Sequence, residues 1–302
     1  MSKSGFRVKY LIILCFLLGY SNISCSLGYS NKEKLVVVGS TTMLPLSERL
    51  ATTYKKDVGV DVIVQGGGSN AGIFALSSDI AQIAASSRKF TEKEKESFDI
   101  FPVAHDILAF VVHPSNPIND LSLEQLRDIL SGKITSWKEL GAPFDKPIQI
   151  INASPGNGSR IAIEELVMGK SREKKIDGIP MTLMSVITNS SPELKANVAD
   201  LKYSIGYLPF NFLDSTVKAL SIDNIPPTYA AAYKGRYPLF RDLFYAIKKG
   251  SSGLELAYIY YVLSPEGQDL VTQEGLLPIN LITSIEQLDK IVSTRSKKRK
   301  SN

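Results

Sequence analysis

Four short segments place small donors where the chain must turn: Gly39-Ser40-Thr41-Thr42, Gly66-Gly67-Gly68-Ser69-Asn70, Ser86-Ser87-Arg88 and Gly156-Asn157-Gly158-Ser159-Arg160. Hydroxyls and free backbone N–H groups at a helix start aim at one point, with the positive end of the helix dipole behind them. That is the chemistry of anion binding. Arg88 adds a planar fork that matches an oxyanion. One such turn is ordinary helix capping by Ser or Thr. Four of them in one chain point to an oxyanion cradle.

Other chemistries fail on spacing or context. Gly66, Gly68 and Ala71 satisfy the loose G-x-G-x-x-G/A dinucleotide fingerprint, and Arg88, about 20 residues on, could meet an NADP 2′-phosphate. That reading suits a cytosolic reductase and conflicts with the export signal described below. The only histidines are His105 and His113. The first ends a loop, the second opens a linker, and no Ser sits in a G-x-S-x-G elbow. No His, Cys or Asp spacing fits a metal. The expectation is reversible binding without turnover, cofactor or metal.

The elements that must position these segments alternate between strand-like and helix-like, which argues for an α/β architecture. Strands are expected at 35–39, 60–64, 80–85, 107–112, 148–152, 205–208 and 243–247. Helices are expected at 45–56, 70–77, 91–96, 122–130, 159–168, 192–198, 252–263 and 265–273. Ser264-Pro265-Glu266 reads as a helix start, and Ser191-Pro192-Glu193 repeats it. Two Pro-restricted segments, His113–Pro117 and Tyr237-Pro238, read as crossings between two lobes.

Lys3, Arg7 and Lys9, an apolar core from Leu11 to Tyr20, and small polar residues up to Ser24 have the plan of a secretory signal peptide. Its core is too short to span a bilayer. Cys25 resembles the lipid-attachment Cys of bacterial lipoproteins, although Asn22 stands where that motif usually has Leu. Plain cleavage near residue 24 or 25 is the alternative. Cys15 lies inside the leader, so the mature chain has no Cys pair. Some 277 residues can instead bury one large core or two ordinary ones. Removing the three positive charges of the leader and the five of the C-terminal tail from the net +5 leaves −3 for residues 25–294. That balance excludes a basic nucleic-acid face. The tail, 291–302, reads as a disordered, solvated end.

The order of these motifs resembles that of the phosphate-binding proteins of bacterial phosphate ABC transporters. The resemblance runs from GSTTMLPL to GLLPI at 275–279, about 245 residues. Its best stretches are HPSNPINDLSLEQLRDILSGKITSWKELG at 113–141, SIGYLPF at 204–210, VKALSID at 217–223 and VLSPEGQDLV at 262–271. It implies an α/β, two-lobed type II periplasmic-binding-protein fold. Each lobe would be a mostly parallel sheet flanked by helices, with inorganic phosphate in the cleft and hinge closure around it. The expected domains are a signal peptide at 1–24, a lipid-linked tether at 25–34, lobe one at 35–112 and 238–290, lobe two at 113–237, and the tail. The expected partners are inner-membrane ABC permease subunits. The chain would be an exported, lipid-anchored monomer facing the periplasm or cell exterior. A binder of another tetrahedral oxyanion, such as sulfate or molybdate, or an exported phosphate-handling enzyme is the alternative.

The resemblance assigns phosphate to Ser40, Thr41, Thr42, Ser69, Asn70, Ser86, Ser87, Arg88, Gly158 and Ser159. It adds Ser190 and Ser191, which also read as a plain N-cap. Two departures stand out. Ala153 occupies a position where many relatives carry Arg. Ser87 stands where some relatives carry an Asp, and Pro155 where others carry an acid; such a carboxylate accepts the proton of hydrogen phosphate and repels sulfate. Asp106 is the nearest substitute by sequence.

Overall fold

The computed structural model describes residues 34–279 apart from 173. The leader, Cys25, residues 280–290 of the expected first lobe and the basic tail lie outside the described residues.

Val36, Val37 and Val38 are β-branched and build β1 (Lys34–Gly39). α1 (Leu44–Val58) carries Pro45 in its first turn, buries Leu46, Leu50, Ala51 and Tyr54 as one stripe, and ends at Gly59 in the left-handed conformation. β2 (Asp61–Gly66), α2 (Ser69–Ser77) and β3 (Ile83–Ser86) complete a parallel unit in the order β2-β1-β3. α3 (Glu92–Ser97) begins with a capping box between Thr91 and Glu94. It leads into β4 (Phe98–Val112), 15 residues long.

The middle of the chain holds β5 (Asp120–Leu121), α4 (Leu123–Ser131), β6 (Gln149–Ala153), α5 (Gly158–Leu166), β7 (Ser185–Thr188), α6 (Ser191–Asp200) and β8 (Ser204–Pro209). Short β9 (Lys218–Ala219), β10 (Ser221–Ile222) and α7 (Tyr229–Tyr233) follow. The chain then returns through β11 (Phe240–Lys248) to α8 (Leu254–Leu263) and α9 (Pro265–Gln273). Ser264 caps α9 as expected, its hydroxyl accepting from the Gly267 N–H. At α6 the cap is Ser190, one residue earlier than the sequence pattern implied.

The strands run in the order β2-β1-β3-β11-β4-β8-β6-β7, with β9 on β4. Pairing is parallel on both flanks, where β1 joins β2 and β3, and β6 joins β7 and β8. It is antiparallel along the seam, where β11 joins β3 and β4, and β4 joins β8. Two large cores lie on this frame, beside two small clusters around Phe90 and Val38. Leu35, Leu46, Leu50, Phe101, Val103, Tyr245 and Ile259 belong to the first. Leu108, Phe110, Trp137, Ile151, Ile163, Tyr207 and Leu239 belong to the second.

β4 changes partner between Ile107 and Leu108: residues up to Ile107 pair with β11, and those from Leu108 pair with β8. β4 thus feeds both cores, with Phe101, Val103 and Ala104 in the first and Ile107, Leu108 and Phe110 in the second. On the way back, Leu239 belongs to the second core with Phe240 packed against it, and Leu243 and Tyr245 belong to the first.

Candidate anion-binding site

β1, β2 and β3 are neighbours, so the turns at their carboxyl ends lie side by side. Crevices outside the carboxyl ends of parallel strands are where open α/β folds bind ligands. The first turn leads into α1, the second into α2, and the third carries Ser86 to Arg88. The fourth comes from the other lobe, between β6 and α5. Three helix N-termini therefore converge, those of α1, α2 and α5.

Their hydroxyls meet. Ser40 Oγ donates to Ser87 Oγ at 2.9 Å, and Ser69 Oγ lies 3.3 Å from the same oxygen. Ser69 Oγ also accepts from the Ser87 N–H at 3.0 Å. Thr42 Oγ1 lies 3.2 Å from Ser159 Oγ, which bridges the lobes. Asn157 Nδ2 donates to Thr41 Oγ1 at 3.5 Å, while its Oδ1 caps α5 by accepting from the Ser159 N–H at 2.8 Å. Gly158 packs so closely that an added Cβ would stand 2.1 Å from Ser87 Oγ and 2.4 Å from Ser69 Oγ. Only glycine lets the α5 N-terminus come this near. Ser40, Thr41, Thr42, Ser69, Ser87 and Ser159 are all buried.

The cation at this cluster is Arg241, a residue that the sequence reasoning missed. It lies near the start of β11, register-paired with Asp106 on β4. Nη2 lies 3.2 Å from Thr42 Oγ1 and 3.0 Å from Ser159 Oγ, and Nη1 donates to the Ser87 carbonyl at 3.1 Å. Nε and Nη2 both donate to Asp106 Oδ2, at 3.0 and 2.7 Å. Asp106 Oδ1 accepts from the Phe210 N–H at 3.3 Å. Burial pushes the Asp106 carboxyl up, and the Arg241 guanidinium pulls against that shift. The pair thus forms a fixed cation facing the hydroxyls, with its counter-charge behind it.

The other expected residues point elsewhere. Arg88 donates to Asn70 Oδ1 and forks onto Glu94, so it lies beside the cluster without reaching it. Ser86 Oγ donates to the Arg88 carbonyl at 3.0 Å and stabilises its own turn. Ser190 caps α6, and neither it nor Ser191 bonds to the cluster among the described residues. Arg160 reaches back to the Ala153 carbonyl at 3.0 Å, the position where relatives were expected to carry an Arg. No group of His, Cys, Asp or Glu able to hold a metal occurs among the described residues. Nor is any helix there long and apolar enough to cross a membrane.

A profile described as the PBP superfamily domain matches residues 28–266. The phosphate-binding protein PstS of Bacillus subtilis is 31% identical over 277 residues, covering 88% of this chain and 88% of its own length. PstS of Borreliella burgdorferi is 28% identical over 279 residues, covering 90% of this chain and 99% of its own. Among solved structures, a putative phosphate ABC transporter substrate-binding protein from Clostridium perfringens, with bound phosphate, has a TM-score of 0.75 and 31% identity, covering 82% of this chain and 100% of that one. Over this length, and with the same two-lobed frame, the chain belongs to the PBP superfamily and, within it, to the family of the phosphate-binding proteins PstS.

Proposed function

We propose that this protein captures inorganic phosphate between its two lobes and delivers it to the permease of an ABC transporter. One observation carries the reading: buried hydroxyls from both lobes surround the buried guanidinium of Arg241 at the N-termini of three helices. Donors so arranged suit a tetrahedral oxyanion, and neutral hydroxyls and N–H groups hold it without demanding a proton from it. Charge-assisted hydrogen bonds contribute about 1.5–3 kcal/mol each, from which anion desolvation and lobe closure subtract.

The protein works as a carrier and not as an enzyme, with no cofactor. Export by the leader, a lipid anchor at Cys25 and a monomeric state complete the proposal, placing the carrier at a membrane facing the periplasm or cell exterior. Equilibrium dialysis with radiolabelled phosphate, competed by arsenate, sulfate and molybdate, tests the ligand. Phosphate and arsenate should compete best. Displacement by molybdate or sulfate at lower concentration than by phosphate would favour the other oxyanion instead.

A further inference from the structure

Arg88 has a buried side chain beside the anion cluster, yet spends its donors on its own lobe. Nε donates to Asn70 Oδ1 at 2.8 Å, Nη1 to Glu94 Oε2 at 2.9 Å and to the Lys89 carbonyl at 2.8 Å, and Nη2 to Glu94 Oε1 at 2.8 Å. The guanidinium carbon also lies 5.9 Å from the centre of the Phe90 ring. Four of its five N–H groups are taken, in a fork that fixes its plane. Glu94 is held in turn, accepting from the Thr91 N–H at 2.8 Å in the α3 capping box. A rigid chain of contacts therefore runs from the start of α3 through Arg88 to Asn70 at the start of α2.

The far end of that chain touches the other lobe. The Asn70 N–H donates to the Gly156 carbonyl at 3.4 Å. Gly156 has φ +88°, and an added Cβ there would stand 3.1 Å from Asn70 Nδ2. The turn before α5 thus seats against the Asn70 amide with no side chain between them. Glu165 and Arg172 of the second lobe, 4.0 Å apart, interact electrostatically with Arg88 of the first.

We propose that Glu94, Arg88 and Asn70 form a closure latch, with Gly156 as its receiver, that sets how long the closed cleft retains its anion. Arg88 is a positioning residue here: it holds Asn70 in place and does not touch the anion. The inference rests on the phosphate reading above. Stopped-flow phosphate binding and release on the mature protein tests it, with wild type, Arg88→Ala, Arg88→Lys and Asn70→Ala compared. Arg88→Ala and Asn70→Ala should each raise the release rate about tenfold while the association rate stays within about twofold, as expected where contacts form after encounter. Arg88→Lys keeps the charge, loses the fork and should behave like Arg88→Ala. Asn70 is exposed, so its variant keeps the test decisive if Arg88→Ala fails to fold. Release rates equal to wild type in Asn70→Ala would overturn the latch. So would a lysine variant that binds normally beside an alanine variant that does not bind, because Arg88 would then act on the anion by its charge. Wild-type protein that binds no phosphate would overturn the functional reading instead, and the latch with it.

Discussion

At the scale of single residues, the site depends on Arg241 and Asp106. Both are buried, and a buried ion pair gains little net stability, because desolvation offsets its attraction. Its retention makes sense if the guanidinium is needed in place. Arg241→Ala should abolish phosphate binding and cost about 3–5 kcal/mol of stability by stranding the carboxylate. The double variant Arg241→Met with Asp106→Leu should recover most of that stability and none of the binding. Denaturant melts beside binding measurements separate the two effects, and binding by the double variant would show that the cation is dispensable. Selectivity is also decided here. Asp106 is occupied by Arg241 and the Phe210 N–H, and Ser87 stands where the resemblance implies an acid in some relatives. Sulfate should therefore compete more strongly than in relatives that have the acid, and Ser87→Asp should sharpen its rejection. If sulfate at about a thousandfold excess fails to displace phosphate from wild type, a carboxylate accepts the ligand's proton after all. The hydroxyls at 40, 42, 69, 87 and 159 were legible in the sequence because each sits at a strand end before a helix or turn. Arg241 was not, because its partner Asp106 lies 135 residues away and only the β4–β11 register joins them. The fork of Arg88 onto Glu94, six residues on, was not read from the sequence either.

At the scale of elements, local signals read well and long strands read poorly. The start of α9 follows its Ser264 cap, as the sequence implied. The first nine residues of β4 were missed, because Pro102 argues against a central strand. The structure accommodates it at a register shift, where Leu243 pairs with Ala104 and Phe244 with Pro102. The α3 cap offers a test by pH. Burial would raise the Glu94 carboxyl, but hydrogen bonds from Arg88 and Thr91 outweigh it and hold the group below the usual carboxylate range. A depressed folded value means that the contribution is complete above the unfolded value, about pH 4.3, and is lost as pH falls through the lower folded one. Glu94→Gln should therefore lower the melting temperature at neutral pH, with the gap to wild type closing as the solution is acidified below that range. A gap that stays constant down to pH ~3 would mean that the charge of Glu94 contributes nothing.

At the scale of the whole molecule, two cores share one sheet, and the strands that pass between them also carry the ion pair. Arg241 and Asp106 are register-paired where β4 and β11 run between the two cores. The alternation of strands and helices made the α/β class legible, while the antiparallel seam depends on contacts far apart in sequence. Phosphate held by donors from both lobes should bind once per chain. Isothermal titration of the phosphate-stripped mature protein should give a stoichiometry of one and an affinity of about micromolar or tighter, near −8 kcal/mol. No heat and no thermal shift at about millimolar phosphate would contradict the assignment of this site to phosphate.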